Sequence, residues 1–277
     1  MSKKLISLQL LFLFIFTLSH SLCEAQELKG YSMPFTAPLY GSPPLKYSDS
    51  KFVTVVFKTS PQVLRKMVPQ PLVPNPQGLM FAYTSSLNVL AHQSGEFSFP
   101  GANYFEVVLG IPVRFDQTGG NYCVVMYLDK TVTGVSFGRE IWGYPKKGAN
   151  ITFVEEGGKV STTVERFGTT IMKLSFERTQ RVEPVPPRPG TPTFNLKFIP
   201  SIRKDAPPDV MQLTSNVSEF NRKELWRGKG SVEFGSLSAD PLGDIPVLEI
   251  VAAEYAVAEG TLGFGEVVYD YLAKGQK

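Results

Sequence analysis

The chain has 277 residues, a formal net charge of +3 at pH 7, two cysteines and two histidines. A disulfide-stapled mini-domain and a zinc site built from histidine and cysteine are excluded by those counts. The near-neutral balance lacks the basic excess of a nucleic-acid binder, and a chain this long buries roughly three quarters of its unfolded surface, so it stands without disulfides.

Residues 1–25 read as a secretory leader. Lys3 and Lys4 supply its positive start, and Leu5 to Leu18 form an apolar run interrupted mainly by Ser7 and Gln9. Cys23-Glu24-Ala25 sets small residues at the −3 and −1 positions of a cleavage site after Ala25. The run is shorter than the roughly 20 residues of a bilayer span. Cleavage predicts a mature chain of residues 26–277 in one domain, secreted or held in a secretory or periplasmic compartment, with no membrane association. Cys23 and His20 leave with the leader, so Cys123 and His92 are the remaining thiol and imidazole. No intrachain disulfide is then possible, and a Ser-His-Asp or Cys-His system would depend on His92 alone.

Along the chain, strand signals dominate. Phe52 to Phe57, Tyr104 to Phe115, Tyr122 to Leu128, Ile151 to Val154, Val160 to Val164 and Thr169 to Phe176 are rich in β-branched and aromatic residues. The spacers Glu155-Glu156-Gly157-Gly158-Lys159 and Arg166-Phe167-Gly168 suit hairpin turns. Thr193 to Ile199, Ser231 to Phe234, Leu248 to Ala258 and Glu266 to Tyr271 follow. Ser60 to Met67 predicts a short helix, with Ser60 as cap and Pro61 in its first turn; a second is placed near Asn216 to Leu225. The stretch 184–192 is too rich in proline for a central strand and is read as an extended surface crossing. Asn150-Ile151-Thr152 and Asn216-Val217-Ser218 are glycosylation sequons, which predict surface positions in a secreted eukaryotic protein. The pattern as a whole predicts a mainly β domain (α+β with few helices) of antiparallel strands, closed or nearly closed.

The chemistry concentrates in Gly138-Arg139-Glu140-Ile141-Trp142-Gly143-Tyr144-Pro145-Lys146-Lys147. Taken alone, two lysines after a proline describe a solvated turn. The aromatic context adds a second reading. Lysine is a nucleophile only as the free amine, and an ordinary lysine is less than about one part in a thousand free at pH 7. Burial against apolar surface raises that fraction, and a neighbouring cation adds less. Adjacent side chains of an extended segment point to opposite faces, so one lysine is expected in the pocket and the other beside it as a helper.

This segment resembles the signature of the acetoacetate decarboxylase family. The resemblance extends to Val63–Leu72, to Glu106 with Gly110-Ile111-Pro112-Val113, and to Met126–Asp129, Leu196–Pro200, Pro241–Val247 and Glu266–Leu272. It spans about residues 35 to 273. It implies a closed antiparallel cone-like β-barrel, a homo-oligomer, no cofactor and no metal. Its substrate would be acetoacetate or a related β-keto acid, attacked by Lys146 to form an imine. Lys147 would be a modulator or a structural cation, and Glu106 a proton carrier. Met126 would line the pocket with Trp142 and Tyr144, which read equally as core. Arg139 and Glu140 read either as part of the site or as an ion pair bracing the turn. His92 is read as a surface or loop residue and Cys123 as a core thiol. The chain departs from the family at two places. Ser50, followed by Lys51, stands where an active-site arginine is expected, and Phe81-Ala82-Tyr83 stands where a second acid is expected. Those departures leave open an imine-based aldol, retro-aldol or dehydration reaction, and a silent barrel that binds a small carbonyl compound.

Overall fold

The computed structural model describes residues 29–129, 132–184 and 190–273. The leader reading for residues 1–25 therefore lies outside the described residues, as do residues 185–189 of the proline-rich crossing.

In chain order the strands are β1 (Leu45–Lys58), β2 (Val73–Pro74), β3 (Leu79–Val89), β4 (His92–Ser94), β5 (Phe97–Phe99), β6 (Ala102–Phe115), β7 (Thr118–Leu128) and β8 (Lys146–Gly148). They continue as β9 (Asn150–Glu156), β10 (Lys159–Arg166), β11 (Thr169–Val182), β12 (Thr193–Ile199), β13 (Val210–Asn216), β14 (Ser218–Phe234), β15 (Glu249–Leu262) and β16 (Glu266–Asp270). Helix α1 (Pro61–Met67) forms where expected. The Ser60 side chain accepts from the Gln62 N–H at 3.3 Å, Pro61 opens the first turn, and Leu64 is fully buried. Helix α2 (Val132–Phe137) runs into a π-helical turn, Gly138–Trp142. Both expected hairpins form: Gly157 and Gly158, like Phe167 and Gly168, carry the paired positive φ angles of a primed turn.

Two expectations are corrected. No helix lies at Asn216 to Leu225: Asn216 ends β13, and β14 runs on from Ser218, pairing with β11 and β15. The β15 ladder pairs the backbone from Ser218 through that segment, and β11 joins from Leu225 onward, so its N–H and C=O groups are satisfied as a strand. Nor is the sheet a closed antiparallel barrel. Fourteen strands form one sheet with the path β16-β13-β12-β7-β6-β3-β1-β15-β14-β11-β10-β9, and its two ends do not pair. The outer edge of β7 is divided. Asn121 and Tyr122 take β12, and Met126 to Leu128 take β8, both in parallel. One edge offers a single row of donors and acceptors, so the ladder forks there instead of closing.

The sheet has two working faces. Val53, Val55 and Phe57 of β1, with Val107, Leu109 and Ile111 of β6, point into the main apolar core. Phe52 and Thr54, with Glu106 and Val108, alternate onto the other face and line a cavity. A β-bulge at Val124 shifts the β6–β7 register, so Cys123 and Met126 share the cavity face. The two sequons diverge: Asn150 is exposed, whereas Asn216 is buried, donating to the Tyr144 hydroxyl at 2.7 Å and accepting from Asn195 at 3.1 Å. That second sequon is not a surface position. No helix among the described residues is long and apolar enough to cross a membrane.

Candidate active site

The site is built on the short link between the π-helical turn and β8. Gly143 closes the turn at φ +77°, and an added Cβ there would come within 2.7 Å of the Lys197 Cα, so the position requires glycine. Trp142 is buried behind the site. Its indole donates to the Gly263 carbonyl at 2.9 Å, its own carbonyl accepts from Thr214 at 2.6 Å, and its ring centroid is 6.3 Å from that of Tyr144. Tyr144 faces the cavity with its hydroxyl held by Asn216. The backbone of Pro145 accepts from the Met126 N–H at 3.2 Å, which aligns Lys146 directly opposite Met126.

Lys146 enters the cavity with its side chain 9% exposed. Its Nζ lies 3.6 Å from Glu106 Oε2 and 5.7 Å from the centroid of the Tyr144 ring. Tyr83 donates to the other carboxylate oxygen, Oε1, at 3.2 Å. Burial pushes the Glu106 carboxyl above the ordinary carboxylate range, while Lys146 and the Tyr83 hydroxyl pull it down. Gly138 makes room for the amine. A Cβ there would lie 2.5 Å from Lys146 Cδ and 2.9 Å from Nζ, closer than atoms pack. The cavity has a volume of about 360 Å³, within the range of small-molecule sites. No group of three or more His, Cys, Asp or Glu among the described residues is placed to hold a metal ion.

Lys147 leaves β8 on the opposite face. Its Nζ meets Asp240 Oδ1 at 2.8 Å and the Ala239 carbonyl at 2.7 Å. Tyr127 donates to Asp240 Oδ1 at 2.8 Å, and Arg166 Nε to Oδ2 at 2.9 Å. Burial alone would raise the Asp240 carboxyl, but Lys147, Tyr127 and Arg166 together hold it below its usual range. Lys147 is thus outside the cavity and serves as an anchor for β8. Arg139 and Glu140 are exposed and also outside it. Arg139 donates to the Lys146 carbonyl at 3.3 Å, and Glu140 accepts from the Tyr40 hydroxyl, so they brace the turn through separate partners and not through an ion pair with each other. Of the expected lining residues, Met126 and Tyr144 face the cavity and Trp142 does not. Lys51 pairs with Glu155 at 2.6 Å, and Ser50 is buried, with its hydroxyl donating to the Ser48 carbonyl and accepting from the Asn88 N–H. His92 packs on Phe99 in the separate β4–β5 sheet.

Sequence reasoning passed over Asp240, the cavity face of Cys123 and the bond from the Tyr83 hydroxyl to Glu106. Gly138 was visible inside the motif, but its reason for being glycine is spatial.

The fold has solved counterparts. It matches an acetoacetate decarboxylase structure with a TM-score of 0.77 at 25% identity, over 88% of this chain and 97% of that one. The acetoacetate decarboxylase of Legionella pneumophila matches with a TM-score of 0.75 at 25% identity, over 89% and 96%. The acetoacetate decarboxylase (ADC) family model matches residues 32–272. The acetoacetate decarboxylase of Burkholderia cenocepacia is 33% identical over 257 residues, which are 89% of this chain and 97% of the relative. The chain belongs to the acetoacetate decarboxylase family.

Two outcomes follow from this geometry. Gly138→Ala should fold but displace the Lys146 amine, cutting reductive trapping of a ketone at Lys146, read by peptide mass, by at least about tenfold; full trapping would show that the amine has room to spare. Asp240→Asn should lower stability at pH 7 by about 3 kcal/mol, because it strips one partner from a buried charge cluster. A depressed carboxyl stabilises the fold above its unfolded pKa, near about 4, and that contribution fades as pH falls through the folded value. Melting curves should therefore separate wild type from variant at pH 7 and converge towards pH 2.

Proposed function

We propose that this chain is a carboxy-lyase that converts acetoacetate or a related β-keto acid to a ketone and CO2 through an imine on Lys146. The observation that carries the reading is a buried Lys146 amine facing a buried Glu106 carboxyl at 3.6 Å, in a cavity where Gly138 leaves it space. The acetoacetate decarboxylase relatives, similar over most of both chains, support the same reaction class.

The steps balance without an added cofactor. The free amine attacks the ketone carbon, the oxygen leaves as water, and a protonated imine forms. The bond to the carboxylate carbon then breaks, and its electron pair flows towards the positively charged nitrogen. CO2 departs and an enamine remains. Protonation at carbon followed by hydrolysis returns the amine and releases the ketone. Glu106, raised by burial, is the carboxyl that delivers and recovers protons, and the Tyr83 hydroxyl holds its second oxygen in place. Tyr144 and Met126 supply apolar wall next to the amine. Lys147 keeps β8 in register from the far side.

The same proposal places the enzyme in a secretory or extracytosolic compartment, on the strength of the leader pattern in residues 1–25. It also includes assembly with copies of itself, supported by the exposed apolar residues Leu248, Ile250 and Val251.

Borohydride added during turnover of acetoacetate should leave a stable adduct on the peptide containing Lys146, and CO2 release should be abolished by Lys146→Ala. An adduct elsewhere, or turnover that survives Lys146→Ala, would falsify the imine route. Glu106→Gln should lower kcat by about 10²–10⁴-fold. Because burial raises Glu106, the acid limb of the wild-type kcat/KM profile should lie above the ordinary carboxylate range and disappear in Glu106→Gln. A limb unchanged in the variant would assign it to another group.

A further inference from the structure

A cavity that accepts a β-keto acid has to hold a carboxylate close to the buried carboxyl of Glu106. Besides Lys146, the cavity lining contains one other cationic side chain among the described residues, Arg222 of β14. The cations around it are already engaged. Lys223 pairs with Asp49 at 3.2 Å and with Glu259 at 2.8 Å, and Arg227 pairs with the second cavity acid, Glu254, at 3.8 Å. No carboxylate among the described residues lies within ion-pair distance of Arg222, and its side chain is exposed.

The register explains why Arg222 faces inward. It pairs with Ala258 of β15, and Ala258 pairs with Ser50 of β1, so the three stand in one cross-strand row, of which Arg222 and Ala258 line the cavity. Ala258 itself lines the cavity. Adjacent strands lie about 4.8 Å apart, and an alanine at the centre of the row leaves open space for a guanidinium reaching across from β14. Ser50 does not fill that space, because its hydroxyl is turned into the sheet onto Ser48 and Asn88. On the same face, Phe220 and Phe52 meet edge to face at 5.2 Å and form an apolar wall beside the row.

We propose that Arg222 is the binding residue for the substrate carboxylate, supplying from β14 the cation that β1 lacks at Ser50. This rests on the imine reading and assigns the substrate's anionic end. The ketone carbon lies at Lys146, the carboxylate one carbon away lies towards Arg222, and the aromatic wall stands beside the row that carries it. Arginine suits the role because its planar fork matches a carboxylate with two parallel hydrogen bonds and remains charged at every working pH.

The test uses the full mature chain, with acetoacetate as the anionic probe and acetone as the neutral one. Arg222→Met should raise KM for acetoacetate roughly 10- to 100-fold, the range lost with a hydrogen bond to a charged group. Arg222→Lys should recover part of that loss. Borohydride trapping of acetone at Lys146 should be unchanged in both variants, and their melting temperatures should match wild type. An unaltered KM in Arg222→Met overturns the assignment. So does an equal loss of acetone trapping, since that reports a disturbed pocket and not a missing carboxylate partner. If the wild-type chain itself fails to trap acetone, the imine reading falls together with this one.

Discussion

In an extended strand consecutive side chains leave on opposite faces, and in β8 that rule separates Lys146 from Lys147. The two do different physical work. Lys147 is drawn to the buried Asp240, which also receives Tyr127 and Arg166, so its position is fixed by a carboxylate that cannot be left unpaired. Lys146 is then committed to the cavity by backbone geometry. The parallel pairing of Met126 with Lys146 sets its height along β7, and the arginine at 139 holds its carbonyl from outside. Lys147 therefore acts on its neighbour through the strand and not across the pocket.

The remaining contacts prevent that amine from being crowded out. A π-helical turn of five residues, Gly138–Trp142, swings the chain through the apolar cluster of Phe137, Trp142 and Tyr144, and its first residue lies against the lysine side chain. Trp142 and Tyr144 are each tied by a polar tip to a distant segment, Gly263 and Asn216 respectively. Large rings with one satisfied polar atom make a stiff wall. The bulge at Val124 completes it by turning Cys123 and Met126 to the same side. The wall beside the lysine thus joins residues 137–144 to Cys123 and Met126, and is tied back to Asn216 and Gly263.

That separation decides what could be read in the sequence. The strand set was largely visible, because β1, β6, β7 and β9 to β12 carry β-branched and aromatic runs bounded by turn residues. Lys146 was visible through a motif whose chemistry is local in sequence, and Glu106 only through the family resemblance that includes Gly110-Ile111-Pro112-Val113. Asp240 was not, since it meets Lys147 across 93 positions and lies in an unremarkable turn. Tyr83 drew attention for the acid it lacks, yet its hydroxyl reaches Glu106 directly. The helix expected at Asn216 to Leu225 failed for the same kind of reason: the distant strand β15 claims that backbone from Ser218 onward, and this pairing is not encoded in the segment itself. Closure of the sheet was likewise a global matter. It turned on the division of one β7 edge between β12 and β8, which no single strand's pattern reveals.

The electrostatic layout follows from how much water each charge retains. Glu106 and Lys146 are deep and face each other at 3.6 Å. An incoming β-keto carboxylate adds a charge with no partner at that depth. Placing a second cation beside Lys146 would bind that charge but would compete for Glu106, the proton carrier of the proposed imine route. Arg222 stands on the wetter side of the cavity, across the Ala258 row, where a guanidinium keeps its hydration until the substrate arrives. The separation lets one cavity hold the buried Lys146–Glu106 pair and a counter-charge for an incoming carboxylate, because the two stand on different strands.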